Sequence, residues 1–271
     1  MGLFANVFAS IATFTTYLYL RRRRTWIMAA LIALPALLPP LGAYYRPEIA
    51  EENIEVFDAV VQFMYLLTLT PLTALVYGCS LLSEEIEGRT LPLLLSRAAP
   101  RSAIVLGKYA AFSVVSIALL VASVLLTFGS FAYFLKLPVG ENLALFERYV
   151  LLIAIALLAY GAFCVAISAL TRRPVVVSAL FIFGWEKLVV ALPGYADFLT
   201  LQKYVLRLLP EAAFNRVEIE KIDLPPELMR AVYPVSAGFS LGALAATTAV
   251  FLIVACVVVR SREFATAGDA G

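Results

Sequence analysis

The chain has 271 residues, of which 62% are hydrophobic and 15% charged, with a formal net charge of +2 and no histidine; its mean hydropathy is +0.92. A soluble domain carries about a quarter of its residues as charged side chains, so this composition places the chain in a membrane. The missing imidazole removes the Ser-His and Cys-His nucleophile schemes, the HExxH zinc helix and histidine-ligated haem.

Over residues 3–20 the apolar Leu3, Phe4, Val7, Phe8, Ile11, Phe14 and Leu18 recur at helical spacing, while Asn6, Ser10, Thr13 and Tyr17 fall on another face. This predicts an N-terminal amphipathic interfacial helix over 1–24, ending in Arg21, Arg22, Arg23 and Arg24 at an anionic membrane surface, the competing expectation being a tilted seventh span. A secretory signal is not expected, because the arginines follow the apolar stretch instead of preceding it.

Crossing about 30 Å of hydrocarbon at about 1.5 Å per residue takes roughly 20 apolar residues. Six stretches qualify, at 26–45, 57–82, 109–135, 149–170, 175–192 and 235–259, the fifth being the weakest. The fold class is therefore all-α integral membrane, a single transmembrane domain over 1–271. Arg21 to Arg24, Arg89, Arg97, Arg101, Lys108, Arg172, Arg173, Arg260 and Arg262 fall on the side of both termini, against Arg46, Lys136 and Arg148 on the other. The positive-inside rule then puts both termini in the cytoplasm.

In span one, Pro35, Pro39 and Pro40 remove backbone donors and predict a kink toward the outer end. The cytoplasmic loop 83–108 between spans two and three has the grammar of a short docking helix. Gly88 can end the preceding helix, Thr90 can cap the next, and Pro92 falls in a tolerant first turn. Leu91, Leu94 and Leu95 then share a face, flanked by Glu84, Glu85 and Glu87 and by Arg89, Arg97 and Arg101. A leucine face outside the bilayer has no core of its own to enter, and implies a partner's groove. The competing expectation for these residues is a plain solvated connector.

The next outer loop holds Lys136, Glu141, Glu147 and Arg148, expected to be solvated. Cys79, Cys164 and Cys256 lie singly in different spans, without metal-ligand spacing, and are expected to be small packing residues. In span five, Glu186 and Lys187 follow Trp185. Two central charges cost about 5 to 7 kcal/mol, against about 3 to 7 returned by the surrounding apolar residues. The span must be sheltered, face water, or break near Gly184. The pair is either a polar lining of a translocation path or charges at a broken outer end. The outer loop 195–233 carries Phe198, Leu201, Val205, Leu208 and Leu209 in helical order before Pro210, predicting short outer helices. Gly238 and Gly242 give span six a small-residue face for close packing.

The nearest approach to a phosphate loop, residues 102–109, has Gly107 and Lys108 in place but Ser102 and Tyr109 where Gly and Ser or Thr are required. The chain is therefore expected to bind no nucleotide there, and no cofactor, metal or nucleic acid elsewhere.

The order Ser83-Glu84-Glu85-Ile86-Glu87-Gly88-Arg89-Thr90-Leu91-Pro92, a leucine cluster, Pro100-Arg101 and Gly107-Lys108 resembles the type-2 ABC exporter permease family. The resemblance implies a non-catalytic permease subunit that pairs with a second permease subunit, the same or a similar chain, in the plasma membrane of a prokaryote. Two cytoplasmic ABC ATPase subunits would bind the ATP and Mg and power export. It implies that Glu84, Glu85 and Glu87 end span two near the ATPase, that residues 90–95 form the seated coupling helix, and that Arg97, Arg101 and Lys108 flank it. Ala98 departs from the family, which commonly has Pro there. Competing expectations are a membrane anchor or assembly subunit that moves no solute, and a gradient-driven carrier, which would more typically show inverted repeats.

Overall fold

The computed structural model describes residues 2–45, 53–87, 100–190, 198–209 and 235–261, which are helical with short connections and contain no strand. Five helices are long and apolar enough to cross a membrane: Arg23–Tyr45, Ile54–Ser83, Arg101–Phe134, Val139–Leu170 and Ala237–Ser261. These are spans one, two, three, four and six of the sequence reading. The fifth stretch is helical from Pro174 to Val190, where that described segment ends.

The N-terminal helix Gly2–Arg21 precedes span one. Val7, Phe8, Ile11, Ala12, Thr15, Thr16 and Tyr19 are its covered residues, a stripe at helical spacing, while Asn6, Ser10, Thr13 and Tyr17 are exposed opposite. The helix packs along span three at a place only glycine fits. A Cβ on Gly107 would stand 3.0 Å from the Phe8 carbonyl oxygen and 3.3 Å from Ile11. At Arg22 the backbone turns extended and the chain enters span one.

Span one is not sharply broken by its prolines. Residues Leu34–Leu37 tighten into a 3-10 turn around buried Pro35, and helix resumes at Leu38–Tyr45. Proline still leaves carbonyls without donors. The Ala36 carbonyl would take its hydrogen bond from residue 39 in a 3-10 helix or 40 in an α-helix, and both are proline; Ser130 of span three donates its hydroxyl to it instead, at 2.8 Å. Ser123 does the same for the Ile32 carbonyl. Because its single proton is committed there, Ser123 accepts from the Tyr65 hydroxyl at 2.6 Å, and Tyr65 in turn accepts from Thr127 at 2.7 Å. This buried chain of hydroxyls joins spans one, two and three.

Between spans two and four the backbones approach closely. A Cβ on Gly78 would lie 2.8 Å from the Cys164 Cβ, and one on Gly161 would lie 2.3 Å from the Phe112 ring of span three. Lipid is as apolar as the side chains, so such small-residue contacts and interhelical hydrogen bonds hold these helices together. The Cys79 carbonyl accepts from Ser168 at 2.8 Å and the Cys79 thiol reaches Ser178 of span five at 3.3 Å. All three cysteines are free thiols; Cys79 and Cys164 are buried in these contacts. Spans two, three and four form the covered centre, and spans one and six are the least covered.

Three sequence expectations need correction. The outer charges Glu141, Glu147 and Arg148 are exposed as foreseen, but they stand on the first turns of Val139–Leu170, and the connection shrinks to residues 135–138 around Lys136, whose φ is 53°. Helix-compatible residues carry the helix past the hydrocarbon, which hydropathy alone truncates. Gly238 and Gly242 have no atom within 4 Å of an added Cβ, so the small-residue face of span six packs against nothing among the described residues. Span five does not break at Gly184: a π-helical stretch, Leu180–Trp185, carries it into Glu186–Val190.

Candidate coupling site and outer tether

One end of the bundle gathers the basic residues that lie far apart in sequence. Tyr19 at the end of the N-terminal helix meets Tyr77 of span two edge-on, with ring centroids 5.5 Å apart. Arg24 donates to the Ser80 hydroxyl, and its guanidinium lies 5.4 Å from the Tyr77 ring centroid, a cation–π distance. The end of span four is beside them, since the Ser83 amide donates to Ser168 at 3.2 Å. Arg172 and Arg173 follow, exposed, in the turn to span five.

At this end span two finishes in the helix Ser80–Glu87, which carries Glu84, Glu85 and Glu87. The expected docking segment, with Gly88, Arg89, Thr90, Leu91, Leu94, Leu95 and Arg97, lies outside the described residues. Its two boundaries are described. Span three, with 34 residues, is roughly 50 Å long against about 30 Å of hydrocarbon, longer than a crossing needs, and its first turns lie at this end. They carry Arg101 and Lys108, and both reach inward. Buried Lys108 donates to the Leu81 carbonyl of span two at 3.4 Å. Arg101 donates to the carbonyls of Arg260 at 2.9 Å and Val259 at 3.4 Å, in the last turn of span six. Both acceptors are backbone carbonyls of another span, so the guanidinium ties the base of span three to span six.

At the opposite end, Glu186 is 1% exposed. One carboxylate oxygen accepts from the Tyr160 hydroxyl of span four at 2.7 Å, and the other from the Leu201 amide at 2.8 Å. Leu201 opens the outer helix Leu201–Arg207, whose Thr200 provides no side-chain cap, so Glu186 supplies the missing acceptor from another helix. Lys187 donates to the Gln202 side chain at 3.0 Å, so the two adjacent charges address the start of the same helix. That helix also packs against span six through Arg207, which donates to the Val235 carbonyl, and through the Tyr204 and Phe239 rings. Trp185 is exposed.

Sequence reasoning passed over Asp58 and Tyr160. Asp58 is buried near the start of span two and accepts from the Tyr149 hydroxyl at 2.9 Å. An isolated carboxylate inside an apolar run was the available signal. Among the described residues no group of His, Cys, Asp and Glu is arranged to hold a metal ion.

The family model for ABC-2 family transporter proteins matches residues 16–264, which takes in all six apolar stretches and both bundle ends. The chain belongs to the ABC-2 transporter family. No curated protein matches it. An ABC-2 protein is a membrane subunit, typically not itself catalytic, and the family associates in general with ABC ATPases. This chain is accordingly an ABC-type permease subunit and a multi-pass membrane protein.

Proposed function

We propose that this ABC-2 protein is the permease of an exporter in a prokaryotic plasma membrane, driven by two cytoplasmic ABC ATPase subunits that bind the ATP and Mg. The family match over 16–264 carries this reading. Both termini face the cytoplasm, together with the bundle end that holds Arg24, Arg101, Lys108 and Arg260. The ATPase seats residues 90–95 by the face of Leu91, Leu94 and Leu95, with Glu84, Glu85, Glu87, Gly88, Arg89 and Arg97 around it. Supporting this, spans two and three end where the basic residues gather, 13 residues apart in sequence between Glu87 and Arg101, enough for one short helix and two turns. The poorly covered spans one and six support pairing with a second copy or a similar chain, the solute path running between the halves. Glu186 and Lys187 enter this reading as the residues that hold the outer helix bordering that path.

The test is replacement of Leu94 and Leu95 together by Asp. Burying one leucine contributes about 1.5 to 3 kcal/mol, and each 1.4 kcal/mol is tenfold in affinity, so retention of the co-expressed ATPase should fall by about a hundredfold or more. The permease should still insert and pair. A double variant that copurifies its ATPase as wild type does would reject the docking assignment.

A further inference from the structure

Arg101 and Lys108 leave the docking segment pointing into the bundle, and each ends on a different span. Lys108 is buried and reaches the Leu81 carbonyl at the base of span two. Arg101, the first residue of span three after Pro100, reaches across 159 residues of sequence to the Arg260 carbonyl and to Val259 beside it. A cation at the N-terminal end of a helix is unfavourably placed in that helix's own dipole. Arg101 is offset by the two span-six carbonyls that accept from it. The third support is steric: the N-terminal helix abuts Gly107, on the next turns of span three, with no room for a side chain between them. The base of span three is thus fastened on three sides, to the N-terminal helix at Gly107, to span two at Leu81 and to span six at Arg260.

We infer that Arg101 is a transmission residue, which makes the cytoplasmic end of span six move with the base of span three when the docking segment is displaced. The inference rests on the coupling reading above. It deepens that reading by assigning Arg101 inward, as a positioning residue, instead of to the ATPase surface. At this end span six is seated on span four, with Ala255 and Val259 buried and Phe251 against Phe163, and among the described residues Arg101 adds side-chain hydrogen bonds from span three to that seat. Without the guanidinium, the Val259 and Arg260 carbonyls lose the donor that ties them to the segment leaving the docking loop.

The experiment places spin labels at cysteines replacing Ser102 and Ser261, in a background with Cys79, Cys164 and Cys256 replaced. In the permease alone the distance distribution should be narrow, and Arg101→Gln should broaden it and raise label mobility at 261. Arg101→Lys, which keeps one donor, should restore it in part. An unchanged distribution in Arg101→Gln overturns the inference whatever the ATPase does. With the cognate ATPase bound, trapping the ATP-bound state should shift the 261 label relative to an outer reference label at Leu143→Cys, and Arg101→Gln should abolish that shift while the ATPase stays bound. An intact shift, or loss of ATPase binding in Arg101→Gln, also overturns it, the second by returning Arg101 to the ATPase contact. Failure of the wild-type permease to retain any ATPase refutes the coupling reading instead, and the distance in the permease alone then still decides whether Arg101 holds span six.

Discussion

The Tyr160 hydroxyl donates to one oxygen of the Glu186 carboxylate at 2.7 Å while the Leu201 amide donates to the other at 2.8 Å, so a single buried side chain joins span four to the outer helix. Glutamine can reproduce this arrangement, since its carbonyl accepts from Leu201 and its amide donates to a rotated Tyr160 hydroxyl. Leucine cannot, and strands two buried groups at about 1 to 3 kcal/mol each. Thermal unfolding in detergent should therefore place Glu186→Gln within about 1 kcal/mol of wild type and Glu186→Leu about 2 to 6 kcal/mol below it. Equal melting of Glu186→Leu and wild type would show that the carboxylate is no tether.

At Gly161 the contact with Phe112 leaves no space for a methyl group. Gly161→Ala should cost about 1 to 3 kcal/mol by overpacking, and adding Phe112→Leu should return part of that loss. The same melting assay checks the pair. Additive losses in the double variant would mean that the two positions do not touch as described.

The proline turn of span one makes a sharper test. Ser130 supplies the donor that Pro40 withholds from the Ala36 carbonyl. Ser130→Ala should cost about 1 kcal/mol alone, and close to nothing in a Pro40→Ala background, where the new amide serves the same carbonyl. A double-mutant cycle with no coupling energy would detach Ser130 from the proline.

Orientation can be read directly. A cysteine at Arg97, with the native cysteines replaced, should resist an impermeant reagent in intact cells and label after permeabilisation. Labelling without permeabilisation would invert the topology and remove the ATPase from this end of the bundle.

Hydropathy and the positive-inside bias made the helical class, the stretches that became long helices and the clustering of basic residues at one end legible. Those signals depend on composition summed over a window, which packing does not alter. An N-terminal helix was legible as well, with Asn6, Ser10, Thr13 and Tyr17 exposed as their spacing predicts, but of the expected apolar face Phe4, Phe14 and Leu18 are exposed too, and Ala12, Thr15 and Thr16 are covered in their place. What Arg101 and Lys108 touch was not. A basic residue beside a docking motif looks the same whether it faces a partner or its own chain, and the Arg260 carbonyl is 159 residues away. Glu186 showed the opposite pattern: its cost in a membrane announced that it needed partners, but nothing local named Tyr160 or the Leu201 amide. The small-residue face at Gly238 and Gly242 meets no atom among the described residues, because GxxxG records what a helix could accept and not what lies against it.

Gly107 also constrains the order of biogenesis. The N-terminal helix emerges from the ribosome well before its seat, which lies about a hundred residues later, on span three, and cannot form until spans one and two are threaded and span three has followed. Until then its apolar stripe rests on the bilayer surface, where an amphipathic helix is tolerated. The Arg101 contact closes later still, because its acceptors are the Val259 and Arg260 carbonyls of span six. The fastenings at the base of span three are therefore made in sequence, and the one to Arg260 exists only in a chain whose sixth span has been inserted.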